Sequence, residues 1–172
     1  KKAKAFDGEL LPDELLITAD TIVCLDHQVL GKPLDRKDAF NMLKSLQGKT
    51  HQVFTGVCLT IGAKRHCFSV ATAVTFNPLT DSAIESYIDH YQPFDKAGAY
   101  GAQETLSPGV NPLSDKELFF LSLVNKPNLF QETLAMDQLK QVPIIASING
   151  SYFNVMGLPL AELWDELKNF VS

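Results

Sequence analysis

Long apolar strand patterns separated by capped amphipathic helices predict an α/β fold, a long mixed β-sheet flanked by helices. Two of the patterns, HQVFTGVCLTIG and HCFSVATAVTF, meet around Ala63-Lys64-Arg65 and predict an antiparallel hairpin, which rules out a purely parallel sheet. A length of 172 residues suits one domain with a real core, so 1–172 reads as a single domain.

The elements follow in order. KKAKAF, at the start, fits the middle of an amphipathic helix, and with no initial methionine the chain is expected to be part of a longer protein. Leu15, Leu16 and Ile17 then lead into a strand and Ile22, Val23, Cys24 and Leu25 lead out of it, with Asp20 between them. A helix is predicted from Arg36 to Leu46, with Asp35 as its N-cap, Gly48 closing it, and Ala39, Phe40, Leu43 and Leu46 on its apolar face. After the hairpin, Thr80 or Asp81 caps a helix through Ile84, Tyr87 and Ile88 towards His90. The Gly-rich loop KAGAYGA comes next. SDKELFFLSLVN, capped by Ser114, and NLFQETLAMDQLK then predict a helical hairpin joined by Lys126-Pro127-Asn128. Leu160 to Val171 closes the chain as an amphipathic helix that sets Trp164 and Leu167 on the sheet.

Composition excludes several classes. Apolar residues make up 45% and charged residues 20%, as in ordinary globular proteins. A net charge of -5, with no basic cluster beyond KKAK, argues against a nucleic-acid surface, although a pocket can still gather positive charge for a small anion. Cys24, Cys58 and Cys67 lack metal-ligand spacing and sit in apolar patterns, so small buried thiols in a reducing, cytoplasmic setting are expected. No apolar run is long enough to cross a bilayer, and no membrane partner is expected.

The chemistry concentrates around Asp20. A carboxylate inside a buried strand is costly unless it has a partner, so Asp20 is either paired with a lysine or held for catalysis. Lys32, in a loop fixed by Pro33, would suit an anionic, metal-bound substrate such as a nucleotide. Asp95 adjoins Lys96 and reads either as a second oxygen ligand for Mg²⁺ or as half of an ion pair that shapes the loop. His51 tempts a general-base reading beside that of a strand histidine bonded near Thr50 and Thr55. Ser151 and Asn154, next to Gly150, read as polar support for a turn.

Four separated blocks, ITADTIVCLDHQVLGKP, DRKDAFNMLKSLQGKTHQVFTG, PFDKAGAYGAQ and INGSYFNVMGLPL, stand in the order that resembles the Maf family of nucleoside triphosphate pyrophosphatases. That resemblance implies a Maf/ITPase-like fold with a cleft between two lobes, a divalent cation (Mg²⁺ or Mn²⁺), and a homodimer. It implies Asp20 as catalytic base and metal ligand, Asp95 as a further metal ligand, and Lys2, Lys32 and Lys96 on the phosphates. Thr21 and Gln103 match the type that acts on dTTP and UTP, where a glutamine amide can meet the O4 and N3 edge of a pyrimidine. The expected activity is hydrolysis of dTTP or UTP to the monophosphate and pyrophosphate, a nucleotide-pool housecleaning role. Alternatives are a nucleotide-binding regulator of septum formation with little turnover, and a 7-methyl-GTP-type pyrophosphatase. Two departures stand out. The family's Ser-x-Ser-Pro-Arg-Arg loop is absent, Arg36 and Arg65 being the only arginines, and residues 104–142 read as an insertion with the role of surface elaboration or dimer contact, in preference to a substrate lid.

Overall fold

The computed structural model describes Phe6, Gly8 and residues 10–11, 13–130 and 142–171. Of the helix expected over KKAKAF, residues 1–5 lie outside the described ones, and Phe6 is not helical.

Alternation of buried and exposed side chains builds the sheet. Strand β1, Leu16–Leu25, turns through Asp26 and His27 into β2, Gln28–Leu30. Both turn residues have positive φ, 49° and 66°, as a two-residue type I′ connection demands. Strand β3, Thr50–Ile61, and β4, Lys64–Phe76, form the expected hairpin, with its turn at Gly62-Ala63, slightly before the predicted place. Strand β5, Ile145–Asn149, completes a sheet of order β2-β1-β3-β4-β5. All four pairings are antiparallel. The expected mixture of strand directions is confined, among the described residues, to one parallel bridge between Leu106 and Ile145.

Helix α1, Arg36–Leu46, begins where Asp35 accepts from the Asp38 N–H at 2.8 Å, and it buries Ala39, Leu43 and Leu46. Helix α2, Asp81–Tyr91, is capped by Thr80 and buries Ile84, Tyr87 and Ile88. These faces close the main core on one side of the sheet with Val23, Val53, Val74 and Phe76. The short helix α3, Ala102–Thr105, follows the glycine loop, and α4, Asp115–Leu123, starts at Ser114 as predicted. Of the second helix of the expected hairpin, Leu129 and Phe130 are helical, and the rest falls on residues 131–141, outside the described ones. Helix α5, Tyr152–Val155, and helix α6, Leu160–Val171, finish the chain. A second, smaller core gathers Val57 and Leu59 of β3 with Leu163 and Phe170 of α6.

Three expectations are corrected. Trp164 leaves the sheet to Leu163 and Phe170 and faces Phe120 of α4, with ring centroids 6.2 Å apart. The cysteines are not buried thiols. Cys58 and Cys67 stand opposite each other across β3 and β4 and are joined as a disulfide, and Cys24 is half-buried. Their strand positions face the side of the sheet away from Val53, Val57 and the cores, a parity that apolar composition alone hides. Finally, α4 is more than a surface elaboration, because Glu117 and Leu121 are buried on its inner side.

Candidate active site

Strand β1 carries Asp20 and Thr21 side by side, so the pleat sends them to different faces of the sheet. Asp20 is exposed rather than buried as expected, and it pairs in register with Gly56 of β3, a neighbour without a side chain, while Thr21 pairs with Thr55. Both residues reach the rim of one cavity of 520 Å³, within the range of small-ligand sites. Ala19, on its wall, packs against the smaller core, while Val23, Val53 and Tyr100 belong to the larger one. The cleft therefore opens where the two cores meet.

Two loops are drawn over β1 by one glycine. Gly98 donates its N–H to the Gly31 carbonyl at 3.0 Å, tying the Lys32 loop to the turn after Lys96. Its φ is +71°, and an added Cβ would lie 3.0 Å from Cγ2 of Val23, so both the backbone and the space at this position call for glycine. Lys32 and Lys96 consequently line the same cavity as Asp20.

Lys96 is held between acids. Its Nζ lies 3.2 Å from Asp95 and 3.7 Å from Glu104. The hydrogen bond from Lys96 holds the Asp95 carboxyl below the usual carboxylate range, and the charge of Lys32 acts in the same direction. Asp95 thus takes up the ion pair foreseen as its structural role, while its side chain stays open to solvent at the cavity. Glu104 accepts from the Tyr87 hydroxyl at 3.0 Å, and that hydroxyl accepts the Gly101 N–H at 3.1 Å. Burial, and then the Glu104 charge, push the Tyr87 phenol upward and keep it a neutral donor. These bonds fix α3, and Gln103 on that helix lines the cavity.

The opposite wall is Val155, Met156 and Gly157 at the end of α5. A buried polar network sets its place. Ser151 caps α5 by accepting from the Asn154 N–H at 3.0 Å, and Asn154 Nδ2 donates to the Val53 carbonyl and to Thr72 Oγ1, each at 3.0 Å. Glu117, with no exposed surface, accepts from Ser151 Oγ at 2.8 Å and the Phe153 N–H at 2.9 Å. Its other oxygen takes the N–H and the hydroxyl of Ser114, both at 2.9 Å. Four donors satisfy this buried carboxylate.

His51 lies behind the cavity. It is 2% exposed, its Nε2 lies 2.8 Å from the Tyr100 hydroxyl, and burial lowers its pKa to about 4. A neutral ring bonded to Tyr100 replaces the expected bonding near Thr50 and Thr55.

The structure therefore brings together Asp20, Thr21, Lys32, Asp95, Lys96 and Gln103, while Lys2 lies outside the described residues. Sequence reasoning missed Glu104, Tyr87 and Glu117. Glu117 left a signal in Ser114-x-x-Glu117, the spacing of a capping box. Glu104 and Tyr87 left none, because they meet only through the fold.

As for a cation, Asp20 and Asp95 offer hard oxygen ligands on one cavity, and Mg²⁺ commonly takes one or two carboxylates together with substrate phosphates. The donor set fits such an ion. No protein-only cluster of three or more His, Cys, Asp or Glu occurs among the described residues.

A family model described as Maf-like protein matches residues 1–117. The chain is similar to a dTTP/UTP pyrophosphatase of Bacteroides fragilis, 44% identical over 168 residues, covering 98% of this chain and 69% of that protein. Its counterparts in Bacteroides thetaiotaomicron and Flavobacterium psychrophilum are 43% and 40% identical, with the same shares covered.

Proposed function

The chain belongs to the Maf family, and from that premise we propose that it hydrolyses dTTP and UTP to the nucleoside monophosphate and pyrophosphate, clearing surplus pyrimidine triphosphates. The observation that carries this reading is the convergence of Asp20, Lys32, Lys96, Thr21 and Gln103 on one cavity from three separate stretches of chain.

Water attacks the α-phosphorus, the bond from the α-phosphorus to the α,β-bridging oxygen breaks, and pyrophosphate leaves. Asp20 orients that water and takes its proton. Lys32 and Lys96 offset the charge that builds on the phosphate oxygens, and Lys96 is pre-positioned by Asp95 and Glu104. Asp20 and Asp95 would hold a divalent cation, Mg²⁺ or Mn²⁺, which when bound neutralises phosphate charge. Gln103 meets the base edge with its amide N–H, which can donate to the O4 carbonyl oxygen. A cytoplasmic homodimer is part of the same proposal.

The test is pyrophosphate release from dTTP, UTP, CTP, GTP, 7-methyl-GTP and ITP with Mg²⁺, measured in the purified protein. Preferential turnover of dTTP and UTP, reduced about 10²–10⁴-fold in Asp20→Asn, is the expected result. Tight nucleotide binding without turnover would overturn it in favour of a binding regulator.

A further inference from the structure

A line of polar groups runs from the cavity into the core, and the number of hydrogens available fixes its direction. Thr21 Oγ1 lies 2.8 Å from Thr55 Oγ1, and Thr55 Oγ1 lies 3.0 Å from the Asn154 carbonyl oxygen. A hydroxyl has one hydrogen and a carbonyl has none. Thr55 is wholly buried and must donate to Asn154, since two facing lone pairs in a dry interior would go uncompensated. With its hydrogen committed, Thr55 meets Thr21 only as an acceptor, so Thr21 donates inward.

The far end of the line cannot shift to relieve this. The Asn154 N–H donates to Ser151 Oγ, whose own hydrogen goes to the buried Glu117 carboxylate. The Asn154 side chain is pinned to Val53 and Thr72. Towards the cavity, Thr21 therefore presents lone pairs alone. Gly157 keeps the approach open: its φ is +106°, and a Cβ there would stand 3.5 Å from Thr21 Oγ1.

We propose that Thr55 is a specificity-positioning residue. By taking the Thr21 hydrogen, it makes that hydroxyl an acceptor-only partner for a ring N–H of the substrate base. This selects the imide of thymine and uracil over cytosine, whose ring nitrogen at the same place carries a lone pair. The inference rests on the reading of the cavity as a pyrimidine triphosphate site. A freely rotating hydroxyl would serve either base. A committed one sets acceptor against acceptor when cytosine enters, and such unmatched pairs are where polar sites discriminate most.

The experiment compares kcat/KM for UTP and CTP in the wild type, Thr55→Val, Thr55→Ser and Thr21→Val, with thermal unfolding of each. The UTP-to-CTP ratio should fall at least about tenfold in Thr55→Val and in Thr21→Val, and Thr55→Ser should restore it. Equal loss on both nucleotides in Thr55→Val, or no restoration by Thr55→Ser, would overturn the proposal. Should Thr55→Val fail to fold, Thr21→Val decides, because it leaves the bond from Thr55 to Asn154 intact, and an unchanged ratio there is equally fatal. A wild type that turns over neither nucleotide would defeat the proposed activity instead. The ratio of UTP and CTP dissociation constants in the same variants would then decide the hydroxyl's polarity.

Discussion

His51 and Gly98 show how single positions sustain the cleft. The folded pKa of His51, about 4, lies below its ordinary value of 6.5, so the folded protein binds fewer protons than the unfolded chain between those limits. The stability contributed is whole above pH 6.5 and is lost as pH falls through this window, on the order of 3 kcal/mol in all. Urea unfolding at pH 7 and pH 4.5 should show a larger drop for the wild type than for His51→Gln, whose amide can still bond Tyr100 without taking up a proton. At Gly98 the constraint is steric. Gly98→Ala would place a Cβ against Val23 at positive φ, with a conformational cost of about 1–2 kcal/mol before any repacking. A lower melting temperature and a raised KM for UTP are expected, because the same turn carries Lys96 and holds the Lys32 loop.

Among the elements, α4 is tied through Glu117 to the helix that carries the cavity wall. Glu117→Ala would leave Ser151 Oγ and the Phe153 N–H without their buried acceptor, and should cost on the order of 3 kcal/mol in chemical unfolding. Ser114→Ala, which removes the cap and one of the four donors to Glu117, should cost less, about 1 kcal/mol. Similar losses in the two variants would mean that Glu117 acts as a cap and nothing more. The contrast also marks how far the sequence is legible at this scale. Asp35 and Ser114 were readable as caps, and Thr80 as one of two candidates with Asp81, because a cap bonds within four residues of itself. That Glu117 reaches α5, or that Trp164 turns to Phe120, depends on how α4 and α6 cross, and no local spacing records that.

At the scale of the molecule, the α/β class, the hairpin and the gathering of chemical residues into one cleft were legible, since strand periodicity and the separated motifs survive without coordinates. Strand direction was harder, because apolar runs look alike whichever way the neighbour points, and the sheet proved antiparallel throughout its pairings. The pairing of Cys58 with Cys67 was hidden for the same reason, as it follows from register. Thiol alkylation of the unfolded chain should therefore label Cys24 alone before reduction and all three cysteines after it. Closing so short a loop contributes at most about 3 kcal/mol, so reduction should lower the melting temperature without unfolding the sheet.

The strand order also sets a sequence of assembly. The β3–β4 hairpin closes through a two-residue turn, and β1 joins β3 over a modest stretch of chain, so Asp20 and Thr21 are framed early. Strand β5 and the Val155–Gly157 wall arrive from the far end of a long intervening segment, whose closure carries the greater entropy cost. A chain still folding can hold most of its chemical groups in place and yet have only half a vessel. Nucleotide would then act on the last step alone, slowing unfolding of the finished protein while leaving the first collapse untouched.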